Sequence, residues 1–391
     1  MNTSMDAILK KLPSFVDQIK SIKEVIISNI VLIGQTPAPT FHEEARTEIF
    51  LERLSDAQAD YCSTDDYNNP IGIILGKSGG AKPPIFVVAH MDTFFNADLG
   101  HNYIIRKNSI AGPGILDNSV GIGVLASMPI ILRKLKLSFE SDIVLAGVTQ
   151  SIGTGNLQGI RHLLKTWDDP IRGAVIIEGA ELGRLSYYSE GIIRGEITCH
   201  VTVMERGKHQ YKPNAILILN EVIDEIMSME LPQRPRARVI IGKFNGGFKH
   251  GVIALDARLG FEIQSNSDDM VKRMYHEMMD IVEGIGHEHR VDLKLNIISN
   301  LYPATLKYKH PLVKSTVAIM KRLGLKPASH SSESELSVFL TQNIPAVTLG
   351  ITDGKNVHSE QASMKIDPMF TGIAQIIGAI MAIDSGVCDE A

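Results

Sequence analysis

Apolar and polar positions change their period several times along this chain, and the changes divide it into elements. Ile8, Leu9, Leu12, Phe15, Val16 and Ile19 recur at the three-to-four spacing of an amphipathic helix, and a second helix is predicted over 42–54. Four short continuous apolar runs, 84–89, 142–148, 173–177 and 345–349, are rich in β-branched residues and read as buried strands. Helix-periodic stretches at 118–134 and 157–166 separate the first three of these runs. Strands alternating with helices predict an α/β domain with a mostly parallel sheet covered on both faces.

The middle of the chain has a different pattern. Residues 194–204 alternate like a half-exposed strand, 214–228 is helix-periodic, and 236–244 and 252–263 read as strands joined through the turn signal Asn245-Gly246-Gly247. A helix over 267–285 and a strand over 291–298 complete a βαββαβ order, the ferredoxin-like arrangement. This α+β unit, 194–301, is predicted as a second domain inserted into the first, which comprises 1–193 and 302–391.

A length of 391 residues suits two cores better than one. A net charge of −5, with no basic run interleaved with aromatics, argues against nucleic acid as a partner. Charged residues interrupt the N-terminal apolar stretch, and no segment reads as long and apolar enough to cross a bilayer, so neither a signal peptide nor a membrane partner is expected. Cys62, Cys199 and Cys388 are scattered and odd in number, which fits a reducing cytoplasm rather than a disulfide framework.

Candidate chemistry gathers just beyond the predicted strands, where open α/β sheets place their sites. His90-Met91-Asp92 follows the first strand, and Gly112-Pro113-Gly114-Ile115-Leu116-Asp117-Asn118 leads into a helix. Glu178 ends the 173–177 run, and His358 follows the 345–349 run. Singly, each has an ordinary reading as a loop pair, a helix cap, a solvated strand end or a loop histidine. Together, two histidines and two carboxylates suit zinc or a similar divalent ion. Asp92, two residues from His90, is placed to orient its ring, and Asp117 is the candidate carboxylate to bridge two ions.

In this order the segments become recognisable. VVAHMDT (87–93), GPGILDNSVGIGVL (112–125), GTGNLQGIR (153–161), VIIEG (175–179), RGEITCHVTVMERGKH (194–209), FNGG (244–247) and IPAVTLG with KNVHS (344–359) resemble the M20 metallopeptidases, in particular their carboxypeptidase and aminoacylase-like branches. The resemblance runs over nearly the whole chain. It implies a zinc-exopeptidase-like catalytic domain with an inserted ferredoxin-like lid, or dimerisation, domain. It further implies that His90, Asp117 and Glu178 ligate one zinc, that Asp117 and His358 ligate a second, and that Asp92 orients His90. His209 would be the lid histidine that stabilises the developing oxyanion across a homodimer. A small peptide or acyl-amino-acid-like ligand would be the substrate.

The chain departs from that family at the acidic pair. Members carry adjacent glutamates before the glycine-rich segment, one the general base and the other a ligand of the second metal. Here the position reads Gln150, Ser151 and Ile152, and no Asp or Glu lies between Asp142 and Asp168. None of those three side chains takes a proton from water at neutral pH. One zinc is therefore expected rather than two, or none. Gly251 stands for a family asparagine and Gln264 for a family arginine that would clamp a substrate carboxylate. The family reaction is zinc-dependent hydrolysis of a peptide or N-acyl amino acid amide bond. The missing groups put that activity in question and favour the alternative, a catalytically silent homologue that binds a metal, a ligand or a partner protein. An active enzyme would need another carboxylate, and Glu333, Glu335 and Glu360 are the candidates.

Overall fold

A computed structural model describes residues 4–202 and 213–389. The chain divides into two compact units, Met1–Tyr188 with Thr305–Ala391, and Ser189–Ala304.

In the larger unit the four apolar runs form the centre of an eight-stranded sheet. Its order is Tyr61–Thr64, Pro70–Ile74, Ile143–Val148, Ile85–His90, Gly173–Ala180, Ala346–Thr352, Arg184–Ser186, Ala328–Ser329. The central strands Ile143–Val148, Ile85–His90, Gly173–Ala180 and Ala346–Thr352 run parallel. Pro70–Ile74 and Arg184–Ser186 flank them antiparallel. Every residue of Ile85–His90, Ile143–Val148 and Ala346–Thr352 is buried, which explains why these strands read as unbroken apolar runs instead of alternating. Because neighbouring strands are parallel and in register, their C-terminal ends emerge side by side. Val88 pairs with Ile176, and Gly350 pairs with Glu178. That shared edge carries the candidate chemistry.

The expectation that no segment is long and apolar enough to cross a membrane is corrected here. Ile115–Lys134 and Ile366–Asp384 both meet that test by length and composition. Both are core helices, 89% and 83% buried, and they are apolar all round because they are covered all round. Val120–Lys134 packs against Lys23–Gly34, and Ile366–Asp384 against Met5–Lys20 and Pro311–Arg322.

The smaller unit is a four-stranded antiparallel sheet in the order Ala237–Gly246, Asp256–Ser265, Gly191–His200, Asp292–Leu301. Helices Ala215–Met227 and Asp268–His289 share its apolar core, through residues such as Leu219, Val222, Met274 and Met278. The third predicted strand of the middle region, expected over 252–263, begins later than its apolar pattern implies, at Asp256. Residues 247–255 form a connection instead, entered through Gly247 in the left-handed region at φ 68°. The second helix extends to His289 and ends on Arg290, also left-handed.

Candidate metal centre

Four elements converge at the C-terminal edge of the larger sheet. His90 is the last residue of its strand and Glu178 lies near the end of the adjacent one. Asp117 sits in the Ile115–Ser119 turn that enters the Val120–Lys134 helix. His358 lies in the loop after Ala346–Thr352. His90, Asp117 and Glu178 each offer a donor atom, and these atoms lie within 4.8 Å of one another.

The turn that delivers Asp117 explains the glycines of its sequence. Gly114 adopts φ 68°, which an L side chain resists. The buried Asn118 amide donates to the Ile177 carbonyl at 2.7 Å and ties the turn to the Glu178 strand. Opposite, a Cβ on Gly179 would sit 2.4 Å from the Leu116 carbonyl, so only glycine lets strand and turn approach this closely.

Asp117 divides its carboxylate between two imidazoles. Its Oδ1 is 3.2 Å from His90 Nε2, and its Oδ2 is 3.4 Å from His358 Nδ1. Two donors bound to one tetrahedral zinc at ordinary bond lengths lie about 3.3 Å apart. Both separations are of that size, so each Asp117 oxygen and its imidazole are spaced as two donors to one ion would be, and Glu178 adds a donor atom within 4.8 Å. His90 Nδ1 faces the Asp92 carbonyl at 3.1 Å and Asp92 Oδ1 at 3.5 Å, so backbone and side chain of the same residue fix the ring. Asp92 is itself held, its Oδ2 accepting from Thr40 Oγ1 and from the Ile152 amide, each at 2.8 Å.

The electrostatics mark the same corner. Burial disfavours a charged His90, but the hydrogen bonds and charges of Asp117 and Asp92 outweigh it and raise its pKa well above the ordinary value. Burial likewise pushes Asp117 upward, and His358 and His90 overcome it, holding the carboxyl well below the usual range. Burial pushes Glu178 up to about 7, against the opposing charges of His90 and Arg184. A buried acidic cluster that depends on imidazolium protons for compensation suits a cation in their place.

The loop that replaces the acidic pair has no carboxylate of its own, yet carboxylates from elsewhere grip it at three successive residues. Glu43 Oε1 accepts from the Gln150 amide at 2.8 Å, Glu335 Oε1 from Ser151 Oγ at 2.6 Å, and Asp92 Oδ2 from the Ile152 amide at 2.8 Å. Gln150 takes φ 52° to make this possible. Burial pushes Glu43 up to about 7, partly countered by the hydrogen bond from Gln150. Glu335 is 1% exposed, and its second oxygen, Oε2, has no hydrogen-bond partner among the described residues. Of the three substitute carboxylates considered from sequence, Glu335 alone is buried against this loop, while Glu333 and Glu360 are exposed.

Gly251 is exposed at φ 77°, with open space where a side chain would go. Gln264 is buried, accepting from Arg238 of the neighbouring strand and donating to Glu262, which is paired with Arg194. His209 lies outside the described residues. Sequence reasoning missed Thr40, Glu43 and Arg46. Arg46 is fully buried and donates to the carbonyls of Met91, Thr36 and Gly34, anchoring the segment between His90 and Asp92. No local pattern distinguishes these residues from ordinary helix-entry polar residues.

No family model matches the chain. An N-acetyldiaminopimelate deacetylase from Leuconostoc mesenteroides is 23% identical over 197 residues, 47% of this chain and 50% of that protein. The match thus spans about half the length of the curated relative. Aminopeptidase PepT from Bacillus cereus superposes with a TM-score of 0.72 at 16% identity, covering 92% of this chain and 98% of the other. The dipeptidase Dug1p from Saccharomyces cerevisiae gives 0.75 at 12% identity, covering 98% and 99%. YxeP from Bacillus subtilis, a dinuclear metal-binding peptidase of the M20 family, gives 0.65 at 13% identity, covering 93% and 99%. The chain therefore has the fold of the M20 family peptidases.

Proposed function

We propose that this protein is a zinc-dependent amidohydrolase acting on a peptide or N-acyl amino acid. The observation that carries this reading is the Asp117 carboxylate shared between His90 and His358 at 3.2 and 3.4 Å. His90, Asp117 and Glu178 would hold the ion, and Asp92 would keep the His90 ring in the orientation that offers Nε2. Asp117, together with His358, would hold a second ion more weakly, because the loop at Gln150–Ile152 contributes no ligand charge. A bound zinc supplies Lewis acidity for the amide carbonyl and lowers the pKa of water at the site. The deacetylase activity named for the Leuconostoc protein and the peptidase activities named for the structural relatives belong to the same class of amide hydrolysis. Membership of a homodimer is part of the proposal, carried from the family resemblance.

A second reading, a silent homologue that binds metal or a partner protein, is favoured by the replacement of the acidic pair and of the lid arginine by Gln264. The two readings separate in one experiment. The metal-free chain is titrated with zinc, and the loaded protein is assayed against dipeptides and N-acetyl amino acids. The first reading expects at least one tight equivalent and turnover that chelation abolishes. Tight zinc without turnover supports the second, and no zinc binding sinks the first and leaves the second only as a partner-binding protein.

A further inference from the structure

We propose that Glu335 is the proton acceptor of this site, a carboxylate brought from the C-terminal part of the chain to the loop where the local acids are missing. The inference rests on the amidohydrolase reading above and names the residue that would make it work.

Three observations meet at this side chain. Glu335 precedes the short Leu336–Thr341 helix, 184 residues beyond the loop, and its Oε1 accepts from Ser151 Oγ at 2.6 Å. It is 1% exposed, yet its Oε2 has no hydrogen-bond partner among the described residues. An unmatched carboxylate oxygen in the interior costs on the order of 1–3 kcal/mol, so a side chain with no further role would be expected to turn it toward a donor. Its charge also reaches the metal corner, since it acts on Glu178. The other two acids at the loop face different groups, although Asp92 Oδ1 also lacks a hydrogen-bond partner among the described residues. Asp92 Oδ2 accepts from Thr40 and the Ile152 amide and its Oδ1 faces His90, while Glu43 is tied to the Gln150 amide.

The roles of the two oxygens then divide. Oε1 is fixed by Ser151, which sets the direction of the carboxylate, and Oε2 is left to accept a proton from water at the metal corner. As the water oxygen bonds to the amide carbon, that proton passes to Oε2. It is then delivered to the leaving nitrogen as the carbon–nitrogen bond breaks. One water is consumed, a carboxylic acid and an amine are formed, and Glu335 ends as it began. Ser151 is a positioning residue in this scheme.

The test uses the full-length zinc-loaded chain with Glu335→Gln, which keeps an oxygen for Ser151 and removes the proton acceptor. General-base catalysis is worth roughly 100- to 10,000-fold, so kcat is expected to fall at least about 100-fold with KM within about threefold. Zinc affinity, measured by chelator competition, should fall by less than about 100-fold, as for a neighbour rather than a ligand. Glu335→Asp, which shortens but keeps the acid, should retain part of the lost rate and covers the case in which the glutamine variant does not fold. An unchanged kcat in Glu335→Gln overturns the proposal. So does a loss of zinc affinity above about 100-fold, which would make the residue a ligand. If the wild type binds zinc but hydrolyses nothing in the panel, this inference falls while the metal site stands; if it binds no zinc, the amidohydrolase reading falls too.

Discussion

The candidate metal corner and the Gln150–Ile152 loop solve one electrostatic problem in opposite ways. At the corner, each charged group stands on the element that the parallel sheet brings there, at the end of its own strand or in the turn beside it. At the loop, no charge is local, and Glu43, Asp92 and Glu335 reach it from three separate segments. The first arrangement is written in short motifs. The second exists only after folding, because its partners are 107, 60 and 184 residues apart. An acidic position lost from a motif is therefore not the same as acidity lost from a site.

The comparison can be broken at either region. The largest effect belongs to Asp117→Asn, which weakens both halves of the shared carboxylate. Partners that only orient a ligand are worth about 10- to 100-fold in affinity, and a ligand should exceed that, so zinc binding is expected to weaken by more than about 100-fold in a competition titration. A loss below tenfold would remove Asp117 from the ligand set. Next is Asp92→Asn, which keeps the backbone carbonyl at His90 but loses the carboxylate that Thr40 and Ile152 address. Zinc affinity should fall about 10- to 100-fold.

A smaller effect sharpens the loop. Burial raises Glu43 from the ordinary carboxyl value to about 7, beside the charges of Asp92 and Arg46. The folded chain therefore holds a proton there that the unfolded chain releases. Its contribution to stability is full below the unfolded pKa and is lost as pH rises through about 7. Glu43→Gln, still able to accept from the Gln150 amide, should raise stability at pH 8 by at least about 1 kcal/mol, or roughly 2–4 °C in Tm. At pH 4 the variant should match the wild type. Equal melting curves at both pH values would mean that Glu43 is not held protonated. The smallest effect is the control Glu360→Gln, which lies exposed in the His358 loop and should change neither zinc affinity nor Tm.

Much of the fold was legible because the central strands are buried along their length and the helices carry a clear period. His90, Asp117, Glu178 and His358 were legible as residues, since parallel strands place their C-terminal ends together. By sequence, no segment reads as long and apolar enough to cross a membrane, whereas two helices are, and only their cover in the fold marks them as core. Glu43, Arg46 and the service of Glu335 to Ser151 were not legible. A buried acid or arginine in a helix-entry segment looks like any surface residue until its distant partner is in place.

The most direct test of the account is a crystal structure of the zinc-loaded chain with anomalous diffraction at the zinc edge. The account predicts a peak at about 2.0–2.2 Å from His90 Nε2 and from carboxylate oxygens of Asp117 and Glu178, with a water between the ion and Glu335 Oε2. A peak elsewhere, or a Glu335 Oε2 satisfied by a protein donor and turned from the ion, would contradict it.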